Sequence, residues 1–106
     1  MKGGILGDFD EEGLLKVIKA SKLAGEITKL TWNWNNFSDP NKDANELMIK
    51  FQKLFLEISE YEQRMGSKLS EYQKNTTHNA IDNLVKLIPY MENKIKVYES
   101  LENIVD

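Results

Sequence analysis

Between Ala44 and Met65 the apolar residues fall at alternating steps of three and four: Ala44, Leu47, Phe51, Leu54, Ile58, Tyr61 and Met65, with Met48, Phe55 and Leu69 widening the stripe. A helix brings such positions onto one face, so the spacing predicts a helix with a coiled-coil-like seam. Its start is marked by Ser38-Asp39-Pro40. The aspartate can accept from the free amides of a first turn, and proline at the first helical position loses no hydrogen bond. Leu69 and Tyr72 keep the same phase across Gly66-Ser67, which extends the prediction to residues 40–74. The stripe is densest at Phe51, Leu54, Phe55 and Ile58, the expected centre of the core.

Two further stripes flank this one. Leu14, Val17, Ile18, Leu23, Ala24, Ile27, Leu30 and Trp34 predict a first helix over residues 10–34, and the acidic Asp8, Asp10, Glu11 and Glu12 suit its positive N-terminal end. The glycine-rich residues 1–9 are expected to be flexible. Residues 35–39 form an elbow, and Asn75-Thr76-Thr77-His78-Asn79 predicts the next break because such side chains compete for backbone hydrogen bonds. Ile81, Leu84, Ile88, Met91, Ile95 and Tyr98 then predict a third helix over residues 78–104, with a kink near Pro89. No alternating β-branched run competes with this pattern. The expectation is a single all-α domain, either an antiparallel helical hairpin or an up-down-up three-helix bundle.

Composition narrows the chemistry. The 106 residues carry 14 Lys and Arg against 17 Asp and Glu, a net charge of -3 with both signs interspersed, which is not the concentrated basic surface that nucleic acid requires. The absence of cysteine removes disulfides, thiolate metal sites and cysteine nucleophiles. His78 is the only histidine, so neither a two-histidine zinc site nor a paired Glu-Xaa-Xaa-His di-iron site can be assembled. No serine has a glycine-flanked nucleophile elbow, and no glycine-rich run precedes a Lys-Ser or Lys-Thr pair. The expectation is a protein without catalytic residues, metal or cofactor. No stretch approaches the roughly 20 apolar residues of a membrane-spanning helix, and the N-terminus lacks the pattern of a cleaved leader. The chain is therefore expected to be made in the cytoplasm, with any export using a route that cleaves no apolar leader.

The segment Thr31-Trp32-Asn33-Trp34-Asn35-Asn36-Phe37 places both tryptophans at the predicted elbow. Residues two apart on a helix point about 200° apart, so the two indoles cannot enter the same core. Trp32, Trp34 and Phe37 are accordingly the candidate partner-binding residues. A small, cysteine-free helical chain with tryptophan in its elbow and the tail Tyr98-Glu99-Ser100-Leu101-Glu102 resembles the Trp-Xaa-Gly (ESAT-like) family of type VII secretion, or the related helical partners of type VII toxins. Neither tryptophan is followed by glycine two positions later, and the elbow comes early. The resemblance implies a helical partner in a homo- or heterodimer, and an export signal at Tyr98 and Glu102 that folding does not need. The alternative is an immunity protein for a bacteriocin or toxin, or another cytoplasmic helical-bundle regulator.

Overall fold

The computed structural model describes residues 10–105, with side chains as far as Leu101. The expected flexible segment 1–9 and the Glu102 side chain lie outside the described residues. The chain is all-α: α1 spans Glu11–Trp32, α2 Pro40–Met65 and α3 Glu71–Val105, with short 3-10 turns at Trp34–Asn36 and Gly66–Lys68. Each helix packs against both others, α1 and α3 most extensively. Glu12 meets Arg64 and Glu26 meets Lys50, so α1 and α2 run antiparallel. Glu62 meets His78 while Phe55 shares a groove with Asp82, so α3 reverses again. The result is an up-down-up three-helix bundle, elongated to 61 × 23 × 17 Å.

Both α1 and α2 open on an aspartate cap, of which the sequence predicted the one at Asp39. Asp10 accepts from the Gly13 amide at 3.0 Å and opens α1. Asp39 accepts from the Lys42 amide at 3.2 Å ahead of Pro40. At the elbow, however, α1 stops at Trp32, and Asn33 closes it by donating its side-chain amide to the Lys29 carbonyl at 2.9 Å. The following 3-10 turn carries Trp34 back into the core.

The break between α2 and α3 lies at residues 66–70, so the expected helix over 40–74 and break at 75–79 are corrected. Gly66 ends α2 with a φ of +55°, a left-handed conformation that glycine adopts without a Cβ clash. Ser70 then opens α3 through a capping box. Its hydroxyl accepts from the Gln73 amide at 3.1 Å, while the Gln73 side chain accepts from the Ser70 amide at 2.9 Å. Asn75 to Asn79 continue the helix because Thr76 and Thr77 donate their hydroxyls to carbonyls four residues back, at 2.8 and 3.0 Å. His78 is thus an exposed helical residue 2.7 Å from Glu62, not a turn residue. The helix is uninterrupted through Pro89, and Leu84, Ile88 and Met91 stay buried on either side of it.

The core is built from Ala20, Leu23, Ile27, Leu30 and Trp34, from Ala44, Leu47, Leu54 and Ile58, and from Ile81, Leu84, Ile88 and Met91. The predicted centre at Phe51 to Ile58 is half right. Leu54 and Ile58 are buried, whereas Phe51 is half-buried and Phe55 is 45% exposed. In a three-helix bundle each helix faces two neighbours through a narrow seam, and Phe55 lies at its margin over the α2–α3 groove. No described helix is long and apolar enough to cross a membrane.

Candidate functional site

Exposed apolar residues occur on all three helices, among them Leu15, Ile18, Ile49, Leu56 and Val85, and two aromatic ones meet at the elbow end. Trp32, on the last turn of α1, is 60% exposed and stands against Tyr90 of α3, itself 58% exposed, with ring centroids 5.5 Å apart and planes tilted by 56°. From Tyr90 the positions Lys94, Val97 and Leu101 follow at steps of four, three and four, so they share one face of α3. Val97 and Leu101 are also half or more exposed. Glu99, Ser100 and Leu101 are all exposed, directly after Tyr98, which is half-buried against the core. An aromatic pair therefore stands at the elbow end of the molecule, with Val97 and Leu101 farther along the same face of α3 beyond Lys94.

A cleft of about 410 Å³ opens beside this pair, lined by Thr31, Trp32 and Asn33 to Asn36 from the elbow and by Tyr90, Asn93 and Lys94 from α3. Asn33 is held by the Lys29 carbonyl. The side chains of Asn35, Asn36, Asn93 and Lys94 make no hydrogen bond or ion pair with any described residue, and no carboxylate lines the cleft. The floor includes Thr31, whose buried hydroxyl is without a hydrogen-bond partner among the described residues.

The sequence-predicted residues divide here. Trp32 is surface and Trp34 is core, only 7% exposed and packed edge-on to Tyr98 at 6.4 Å. The break at Asn33 turns Trp34 inward, where it packs in the core and also lines the cleft. Phe37 is half-buried against the core beside Leu30 and Leu47, in a groove rimmed by charges. Tyr98 has a packing role in addition to any export role, so its removal is not neutral to folding. Tyr90, Asn93 and Lys94 were not foreseen. On the sequence they belong to an ordinary exposed helix face, and only the α1–α3 packing brings them to the elbow.

At the opposite end a polar latch joins α1 to α2. The buried Tyr61 hydroxyl donates to Asp10 at 2.7 Å, and Arg64 forks onto both Glu12 oxygens at 2.8 and 2.6 Å while lying 5.8 Å above the Tyr61 ring. Gly13 is required here, because a Cβ at that position would collide with the Tyr61 hydroxyl and lie 2.8 Å from Asp10. The Tyr61 hydrogen bond holds the Asp10 carboxyl below its ordinary range, and Arg64 does the same to Glu12. Burial, then the Asp10 contact, pushes the Tyr61 hydroxyl up, so it remains a donor. Lysines follow the same seam: Lys16 and Lys19 of α1 reach Glu57 at 3.6 and 3.4 Å. Glu57 therefore pairs across helices.

The latch makes stability depend on acid. Carboxylates with lowered folded-state values contribute fully above their unfolded values, and that contribution is lost as pH falls through the folded ones. Tyr61→Phe should cost about 1 kcal/mol at neutral pH and flatten the loss of stability below about pH 4, measured by urea denaturation at several pH values. An acid limb identical to that of the parent protein would assign the dependence elsewhere.

Fold and site together define an all-α up-down-up bundle with an open aromatic and amide-lined cleft at its elbow. The chain matches no protein-family model, and neither the curated proteins nor the solved structures contain a significant match.

Proposed function

We propose that this protein is a non-enzymatic binding module that engages another polypeptide through its elbow end. The observation that carries the reading is the exposed, touching pair Trp32 and Tyr90, with Val97 and Leu101 farther along the same face of α3. Isolated exposed apolar residues are ordinary, but contiguous ones rimmed by polar side chains mark interaction surfaces. Tryptophan and tyrosine are also the side chains most enriched among residues that dominate binding energy. The titratable groups displaced from their ordinary values, Asp10, Glu12, Tyr61 and Arg64, serve the α1–α2 latch, which supports a binding role over catalysis.

The resemblance to Trp-Xaa-Gly proteins extends this proposal to a type VII secretion substrate or a targeting partner of a type VII toxin, with Tyr98 and Glu102 as export signal and the partner helical. The alternative, an immunity protein or cytoplasmic regulator, is favoured by a different observation. Helices of one chain pack a shared core among the described residues, an arrangement that suits a monomeric binder.

The test uses co-expression with neighbouring gene products, light scattering and calorimetric titration. The double variant Trp32→Ala/Tyr90→Ala should weaken association by about 2 kcal/mol, roughly thirtyfold, without changing the melting temperature. Unchanged affinity in the double variant would refute the elbow as the binding surface. Tyr98→Phe, which keeps the ring on Trp34, separates export from packing. Impaired export with normal folding supports the secretion reading, and a monomer indifferent to the substitution supports the alternative.

A further inference from the structure

We propose that the elbow cleft captures the free C-terminal end of a partner polypeptide, with the terminal carboxylate on Lys94, the last peptide groups on Asn35, Asn36 and Asn93, and an apolar terminal side chain against Trp32 and Tyr90. The inference rests on the binding reading above and names what the site recognises.

Three features of the cleft converge on this ligand. The first is charge. Among the described residues Lys94 is the only ionised side chain lining the cleft, and it has neither an ion-pair partner nor an opposing carboxylate there. A single ammonium among neutral amides matches one carboxylate, whereas a phosphate is better met by several cations or a guanidinium fork. The second is the amide set. Each asparagine offers one carbonyl acceptor and an N–H2 donor, the same pair of functions that a peptide group presents in complement. Three such side chains bond to no described residue and lie around one opening. A helical segment has already satisfied its own backbone and would leave them unused, but a chain end has unpaired N–H and C=O groups to offer. The third is the aromatic pair, in tilted contact and each ring more than half exposed, which offers apolar surface for a terminal side chain at the cleft's edge. The cleft volume of about 410 Å³ lies within the roughly 300–1,000 Å³ range of small-ligand sites.

The decisive experiment titrates the isotope-labelled full-length protein with three probes: N-acetyl-Gly-Gly-Phe bearing a free carboxylate, the same peptide as its C-terminal amide, and sodium acetate. The free acid should shift the Trp32 indole N–H and the side-chain amides of Asn35, Asn36 and Asn93, and should bind at least about tenfold more tightly than the amide. Lys94→Gln should remove that preference and Lys94→Arg should largely retain it. Equal binding of acid and amide, or no shift at these resonances up to about 10 mM peptide, overturns the proposal. Shifts reproduced by acetate at the same concentration mean an adventitious anion only, and overturn it too.

A second arm separates this inference from the binding reading. For a partner lost by the Trp32→Ala/Tyr90→Ala variant, a Gly-Ser extension of the partner's C-terminus should weaken binding at least about tenfold. Full binding of the extended partner overturns C-terminal capture while the elbow surface stands. A partner indifferent to the double variant refutes the surface, and the tripeptide titration still decides the cleft.

Discussion

Trp34→Ala should destabilise the protein by about 3 to 5 kcal/mol, the usual cost of emptying a large aromatic site in a core. For a chain of this size, that corresponds to a fall of about 10–20 °C in melting temperature. The indole is buried among residues of all three helices and supplies the edge contact for Tyr98, so its loss also loosens the C-terminal part of α3. Trp32→Ala, two positions away, should cost less than about 1 kcal/mol because its ring faces solvent and Tyr90. Thermal melts followed at 222 nm distinguish the pair. Similar losses for both variants would mean that Trp32 is also a packing residue, and the argument for a free aromatic anchor would fail.

The contrast between the tryptophans shows how far the sequence could be read. Their two-residue separation was enough to predict that the two indoles would not both enter the same core. It could not say which of them would be buried, because that depends on α1 ending at Trp32 and on the Asn33 cap. The all-α class and the seams of α2 and α3 followed from periodicity, since burial in a small bundle selects nearly the same positions that hydrophobicity marks. The α2–α3 turn did not follow. At Gln73 and Thr77 the buried seam of α3 continues through polar residues, which the sequence presents as a break. Both are satisfied locally, Gln73 in the capping box and Thr77 by the Gln73 and Lys74 carbonyls and by Glu62. The true signals were present as Gly66 followed by Ser70-Xaa-Xaa-Gln73, a stop and a start four residues apart. Continuity of the apolar phase through Leu69 and Tyr72 outweighed them in the sequence reading. The cleft was legible only on its elbow side, because Tyr90, Asn93 and Lys94 reach it through tertiary packing.

Leu84→Ala should cost about 2 to 5 kcal/mol, while Phe55→Ala, although it deletes a larger side chain, should cost well under half as much. Leu84 is completely buried at the centre of the α3 seam, so truncation leaves a cavity that rigid helices on both sides cannot close. Phe55 lies over the α2–α3 groove with nearly half its surface in water, and its main aromatic neighbour is Phe51 at 6.2 Å. Its truncation removes a contact without emptying the interior. Urea denaturation should therefore shift the midpoint strongly for Leu84→Ala and weakly for Phe55→Ala at similar m-values. A larger loss at Phe55 would mean that the α2–α3 groove is closed in solution, by α3 settling deeper onto α2 or by a second molecule covering the ring. Repeating the Phe55→Ala measurement across protein concentrations separates these causes, because only association makes the loss concentration-dependent.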